Sequence, residues 1–264
     1  MNNVVLLIPH YNNPDGLKRS LASIHSQERI DVVIVDDGSK AEINELDISS
    51  HFKATGIIKY LYLEQNKGIE YALNTGLEYI VSLNQYEYIA RMDSDDACIG
   101  KRFDIQKRFL EQNKNIMLVG SNVIAVNPEG NFLYNIIMPE HSDTIRKKMY
   151  LNSMFMHPSV MFRIQIIEKI GYYPFNYKAA EDYAYFFKIV IQYETANIQD
   201  FLLKYEINPK GISISKRKQQ VASRIKVIKD NFYFGFYPIY GLLRSLILYI
   251  TPQNLITSLK RIRG

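Results

Sequence analysis

Three carboxylates stand together in Asp93-Ser94-Asp95-Asp96, directly after the apolar run Tyr88-Ile89-Ala90 and the cation Arg91. Like charges at that density call for a partner. Carboxylate oxygens are the ligands that hard divalent cations take, alongside the phosphates of a substrate. The alternative for this stretch is a solvated acidic turn capping the next helix. Two comparable groups occur earlier. Pro9-His10-Tyr11-Asn12 follows the apolar run 4–8, and Asp36-Asp37-Gly38-Ser39 follows the run 32–35. Each alone reads equally well as turn chemistry.

For these groups to work together, each must sit at the carboxyl end of a strand in one sheet, because open α/β sheets bind ligands in the crevice outside those ends. The pattern predicts this arrangement. Residues 4–8 form a continuous apolar run, as expected of a buried parallel strand. Asn13-Pro14 reads as an N-cap followed by proline at the first helical position, with Leu17, Leu21 and Ile24 at helical spacing. Residues 57–63 read as a third strand, and Ile69, Leu73, Leu77 and Ile80 as a helix. Residues 86–92 read as the fourth strand. The second half changes character. Residues 119–126 and 132–137 flank Asn127-Pro128-Glu129-Gly130, a hairpin signal. Ser142-Asp143 opens a short helix, 160–162 is strand-like, and the helix 164–170 stops at Gly171. Glu181-Asp182 opens a helix to about residue 193. The expected fold class is α/β, with a mostly parallel sheet, an α+β second half and C-terminal helices.

The 264 residues are 47% hydrophobic and 22% charged, which suits a globular chain with one large core or two small ones. A single cysteine, Cys98, excludes an internal disulfide. The first residues lack the basic segment and small-residue cleavage site of a signal peptide, so the expected location is cytoplasmic. The net charge of +5 is concentrated late, in Lys216, Arg217, Lys218, Arg224, Lys226 and Lys229 and in Lys260, Arg261 and Arg263. No zinc-finger spacing or aromatic RNA-binding signature accompanies these cations, so nucleic acid is not an expected partner.

No GxGxxG motif or P-loop is present, which argues against a dinucleotide fold of that type. The strand ends suit a nucleotide instead. Tyr11 can stack on a base, Asp36 or Asp37 can accept from a ring N–H, and Asn66-Lys67-Gly68 offers a cation beside a permissive glycine. The guanidinium fork of Arg91 suits phosphate or carboxylate.

Six segments together resemble the signature blocks of family 2 glycosyltransferases. They are Ile8-Pro9-His10-Tyr11-Asn12, Val35-Asp36-Asp37-Gly38-Ser39, Asn66-Lys67-Gly68 with Ala72-Leu73-Asn74-Thr75-Gly76, Ala90-Arg91-Met92-Asp93-Ser94-Asp95-Asp96, His157-Pro158-Ser159-Val160-Met161-Phe162-Arg163 and Ala180-Glu181-Asp182-Tyr183. The resemblance covers roughly the first 215 residues and implies a GT-A fold. It implies that Asp93 and Asp95 form the DxD motif, with Asp93, beside Ser94, near the donor ribose and Asp95 holding Mn²⁺ or Mg²⁺. It further implies that Pro9, Tyr11, Asn12, Asp36, Asp37, Asn66, Lys67, Gly68 and Arg91 line the nucleotide-sugar pocket. Asp182 would be the general base, with Glu181 beside it, and His157 would lie near the acceptor or diphosphate. Without the resemblance, Glu181-Asp182 reads as acids favoured by a helix dipole. One departure stands out: relatives often read Tyr-Arg-x-His where Tyr205-Glu206-Ile207-Asn208 occurs here. Glu206 is expected to turn away from a diphosphate, leaving Lys210 or residues 216–218 to supply positive charge.

Residues 231–250 combine aromatics with Arg244 and are too short in their uninterrupted part to span a bilayer. An in-plane amphipathic helix is expected, with packing on the catalytic domain or on a second copy in a homodimer as the alternative. The expected organisation is a catalytic domain over 1–215, divided at 97 into a donor half and an acceptor half, and a basic appendage over 216–264. The expected activity is metal-dependent, inverting transfer of a hexose, galactose or glucose, from a UDP-sugar donor. The acceptor would be a polyprenyl-diphosphate-linked bacterial surface glycan such as an O-antigen or capsule unit, reached at the inner face of the membrane. Two rivals remain. A sugar nucleotidyltransferase would want a glycine-rich N-terminal loop that 9–13 does not provide. A non-catalytic nucleotide-sugar-binding module would not need Asp182.

Overall fold

Every residue of the first strand, β1 (Val4–His10), is buried, and the reason lies in what covers it. Val5 and Leu7 enter one hydrophobic cluster, while Val4, Leu6 and Ile8 enter another on the opposite face of the sheet. A strand covered on both faces has no polar alternation to show. The computed structural model describes residues 2–208 and 216–251.

The first half is a parallel series. It runs β1, α1 (Pro14–Ala22), β2 (Asp31–Asp36), α2 (Glu45–Ser50), β3 (Ile58–Tyr62), α3 (Ile69–Ser82) and β4 (Tyr88–Arg91). The sheet order begins β3-β2-β1-β4, with all three pairings parallel. Asn13 caps α1 through its side chain, which accepts the Gly16 N–H at 3.1 Å, and Pro14 stands in the first turn. This half follows the expected elements, with α2 added. Asn44 caps that short helix, but only Ile48 of it is buried, so it leaves almost no periodic signal.

The second half joins the same sheet. It comprises β5 (Ala97–Cys98), α4 (Arg102–Gln112), β6 (Ile116–Val126), β7 (Phe132–Ile136), α5 (Ser142–Lys148), a 3₁₀ turn at His157–Ser159, β8 (Met161–Arg163), α6 (Gln165–Ile170), α7 (Glu181–Gln192) and β9 (Glu194–Glu206). Strand β8 runs antiparallel between β4 and β6, and β6 pairs with β9 in parallel and with β7 as the expected hairpin. The sequence does not announce β9. Its ladder with β6 breaks between Ile198 and Phe201, so Gln199 and Asp200 interrupt the alternation. Helix α4 is also hidden, because its buried face includes the polar Arg102 and Gln106.

Helices α8 (Arg217–Asp230) and α9 (Phe236–Ile250) form an antiparallel pair, since Arg217 at the start of α8 donates to Leu248 O near the end of α9 at 2.7 Å. Val227 and Ile228 of α8 enter the core beside α7. Ser223 and Tyr177 tie α8 to the preceding loop through hydrogen bonds to Lys178 O and Asp230. The appendage therefore packs on the catalytic part. Lys210, Lys260, Arg261 and Arg263 lie outside the described residues.

Candidate active site

The acidic turn follows β4, at the carboxyl end of the parallel series. Carboxylate oxygens of Asp93, Asp95 and Asp96 all lie within 4.8 Å of one another. Burial, then the neighbouring Asp93 and Glu206 charges, push Asp95 up to about 7. Burial with the Asp93 and Asp95 charges also holds Asp96 well above the usual carboxylate range. Asp96 Oδ1 accepts the Glu206 N–H at 2.8 Å, while its buried Oδ2 has no partner. An all-oxygen donor set, crowded enough that it otherwise carries protons, fits a hard divalent cation. The remaining contacts brace the turn: Ser20 on α1 donates to Asp96 O at 2.6 Å.

The ends of β1 and β2 are knitted together. The Asn12 N–H donates to Ser39 Oγ at 2.8 Å, and the Lys40 N–H donates to Asn12 Oδ1 at 2.9 Å, with Asn12 at φ 51°. Asp36 accepts both the backbone N–H and the hydroxyl of Ser39. Asp37 accepts the N–H groups of Lys67 and Gly68 at 2.8 and 2.9 Å, so it positions the Asn66-Lys67-Gly68 loop. Gly38, at φ 65°, brings its backbone against Gln65 and Asn66, where a Cβ would collide. Pro9 is buried, whereas Tyr11 is 44% exposed beside the crevice, and the Asn66 and Lys67 side chains are exposed.

Arg91 is buried and contacts Asp93. Its Nε and Nη1 have no hydrogen-bond partner. Its positive charge acts on Asp95, Asp96, Glu181 and Asp182 alike, so the acidic turn and the start of α7 share one electrostatic neighbourhood. His157 is buried with its Nε2 2.9 Å from Tyr173 Oη. Burial and Arg91 hold its pKa well below the usual histidine value, so it is neutral at pH 7. Burial and the Asp182 charge push Glu181 up to about 8. Burial raises Asp182 too, opposed by the Tyr183 N–H and the Arg91 charge. Asp182 Oδ1 accepts that N–H at 2.7 Å.

The Glu206 carboxylate pairs with Arg19 of α1 at 3.3 Å and stays near enough to Asp95 to raise it, because the backbone bond to Asp96 fixes the end of β9 beside the acidic turn. Sequence reasoning missed Asn152, Ser153, Gln220 and Arg224, which line a small cleft with Asp182. The only sequence signal was the basic composition of 216–229. Another cavity, of about 590 Å³, opens among Asp143, Arg146, Tyr150, Phe187 and Tyr233 and contains none of the strand-end residues.

A parallel strand series with carboxylates, a cation and an aromatic at its carboxyl ends defines an α/β protein whose ligand crevice lies outside those ends. The family model described as glycosyl transferase family 2 matches residues 5–171, and the chain belongs to that family. It is 26% identical over 265 residues to an uncharacterized glycosyltransferase of Methanocaldococcus jannaschii, covering 94% of this chain and 89% of that one. It is 26% identical over 229 residues to the amylovoran biosynthesis glycosyltransferase AmsE of Erwinia amylovora, covering 85% of this chain and 84% of that one. The structure of S. aureus TarS 1–349 in complex with UDP-GlcNAc superposes with a TM-score of 0.68 at 17% identity, over 94% of this chain and 73% of that one. The fold is GT-A, and the protein is a family 2 glycosyltransferase.

Proposed function

We propose that the protein transfers a hexose, galactose or glucose, from a UDP-sugar to a lipid-linked surface glycan, with inversion and with a divalent cation. One observation carries this reading: the Asp93/Asp95/Asp96 cluster and the Glu181-Asp182 pair both feel the charge of the buried cation Arg91. Two carboxylate groups in one neighbourhood suit two tasks. Asp182 takes the proton from the acceptor hydroxyl, and the freed oxygen attacks the anomeric carbon. The bond to the nucleoside diphosphate breaks on the opposite face, and its electron pair leaves with the phosphate. General-base help of this kind is worth about 10²–10⁴-fold. Asp93 and Asp95 would hold Mn²⁺ or Mg²⁺, which supplies Lewis-acid neutralisation of the leaving diphosphate. Tyr11 stacks on the base, and Lys67 approaches the phosphates on the loop that Asp37 holds.

The acceptor class is supported by AmsE, named for amylovoran biosynthesis, and by α9. No helix among the described residues is long and apolar enough to cross a membrane. Yet Phe236, Ile239, Tyr240, Leu243, Leu246, Ile247 and Ile250 all point outward from α9, while Pro238, Gly241 and Ser245 face the protein. Gly241 is required there because its backbone lies against Tyr150 O. This is an amphipathic helix with its apolar face out. From residue 216 onward ten basic residues face a single acid, Asp230, so the bilayer surface that suits this helix is anionic. Incubation with a panel of UDP- and GDP-sugars, followed by mass detection of released nucleotide and glycosylated product, tests the donor. Release from no UDP-hexose would overturn the reading.

A further inference from the structure

Loop 149–153 is gripped by three helices. Tyr183 of α7 donates from its hydroxyl to Met149 O at 2.6 Å. Arg244 of α9 donates to Leu151 O at 2.8 Å. Arg224 of α8 donates to Asn152 Oδ1 at 2.7 Å. The clasped loop and the helices enclose the cleft into which Asp182 opens.

Arg224 is the one cation lining that cleft. Its guanidinium lies 5.9 Å from the centre of the Tyr183 ring, and among the described residues its hydrogen bonding is confined to Asn152. Most of a five-donor fork is thus unused at the entrance to a carboxylate. Burial disfavours this charge while Tyr183 and Asp182 support it. A neutral saccharide needs no guanidinium beside the base. An acceptor carrying phosphate does, because the Asp182 and Asp93 carboxylates would otherwise repel it, and the planar fork matches phosphate oxygens.

We infer that Arg224, with Gln220 and Asn152, forms an acceptor subsite that binds a phosphate group carried by the acceptor while the acceptor hydroxyl meets Asp182. This rests on Asp182 being the base of the proposed transfer. It also gives the C-terminal helices a task in the site: α8 carries the phosphate-binding fork, and α9 holds the same loop from its other side.

The test is calorimetric, on the full-length protein. Geranyl phosphate, glycerol phosphate and uncharged geraniol are titrated with and without saturating UDP and Mn²⁺, which fill the donor diphosphate site. The wild type should bind geranyl phosphate at least about tenfold more tightly than geraniol. Arg224→Met should remove most of that preference without changing geraniol binding, and Arg224→Lys should keep part of it as a point charge without the fork. Gln220→Glu, which leaves Arg224 in place and adds an acid to the cleft, should also weaken the phosphate ligands alone. Tighter binding of geranyl than of glycerol phosphate assigns the phosphate to a lipid carrier, and equal binding assigns it to a polyol or sugar phosphate. Absence of any phosphate preference in the wild type, or its survival in Arg224→Met, overturns the subsite. Failure of UDP to bind would sink the donor reading alone, since the phosphate preference is also read without UDP.

Discussion

The Glu206 N–H and Asp96 Oδ1 stand 2.8 Å apart across 110 positions of sequence, and this bond joins the end of β9 to the acidic turn after β4. Glu206 thereby stays beside Asp95 although an acid there is electrostatically costly. Asp96→Asn keeps the accepting oxygen and removes the charge, so it should fold with little loss while weakening Mn²⁺ binding. Asp96→Ala removes the clasp and should cost about 1–3 kcal/mol in urea unfolding, the penalty of leaving a buried donor unpaired. Equal stabilities for the two variants would count against the clasp.

Asp95→Ala should remove most of the Mn²⁺-dependent gain in UDP affinity while the far-UV circular dichroism stays that of the wild type, because the residue lies in a turn beyond the strand end. Calorimetric titration of UDP with and without Mn²⁺ measures it. A metal-dependent affinity unchanged in the variant would remove Asp95 from the metal site.

Asp182→Asn keeps shape and the bond to the Tyr183 N–H but cannot take a proton. kcat should fall by about 10²–10⁴-fold with UDP affinity nearly unchanged. In the wild type kcat should fall as pH drops through a value above the ordinary aspartate range, because burial raises Asp182 and only its ionised form is a base. A variant turning over at the wild-type rate would move the base elsewhere, first to Glu181.

Glu181 gives a stability prediction with a definite sign. Its folded value of about 8 lies above the ordinary 4.5, so the native state holds a proton that the unfolded chain releases. The Glu181 contribution is present below pH 4.5 and is lost as pH rises from there through about 8. Glu181→Gln mimics the protonated form and should lack this decline. The Tm of the variant relative to wild type should therefore rise between pH 5 and pH 8, as measured by calorimetry in the absence of metal. A constant difference across that range would contradict the assignment.

The outward face of α9 predicts peripheral binding. Leu243 and Ile247 are 55% and 60% exposed, so Leu243→Glu with Ile247→Glu leaves the packed face intact. The double variant should lose flotation with anionic liposomes while keeping UDP affinity. High salt should weaken wild-type flotation only in part, since screening removes the cationic attraction but not apolar burial. A wild-type protein that stays in the soluble fraction at low salt would favour a packing or dimer role for the helix.

The strand-end cluster was legible in the sequence because its residues are local to strand ends. A strand covered on both faces must be continuously apolar, so runs such as 4–8 and 32–35 mark themselves, and whatever follows them faces the crevice. The placement of Asp36, Asp37, Asp93 and Asp95 at the carboxyl ends of β2 and β4 was legible on that ground. The hairpin of β6 and β7 was legible for a similar reason, since its turn residues declare its backbone. Tertiary structure decided the rest. Arg91 reads in sequence as a fork for phosphate or carboxylate, and only the tertiary structure shows it buried beside the Asp93 carboxylate, where its charge acts on two carboxylate groups. Glu206 reads in sequence as an acid that should turn from a diphosphate, and only packing shows its carboxylate paired with Arg19 while one backbone bond to Asp96 holds the end of β9 beside the acidic turn. Strand β9 and helix α4 bury polar groups that break their periodicity. The apolar pattern of α9 gave amphipathicity but not its direction, because no local signal says which face the close approach of Gly241 to Tyr150 will claim. The Arg224 cleft is assembled from loop 149–153, α7 and α8, elements up to 72 residues apart that only packing brings together.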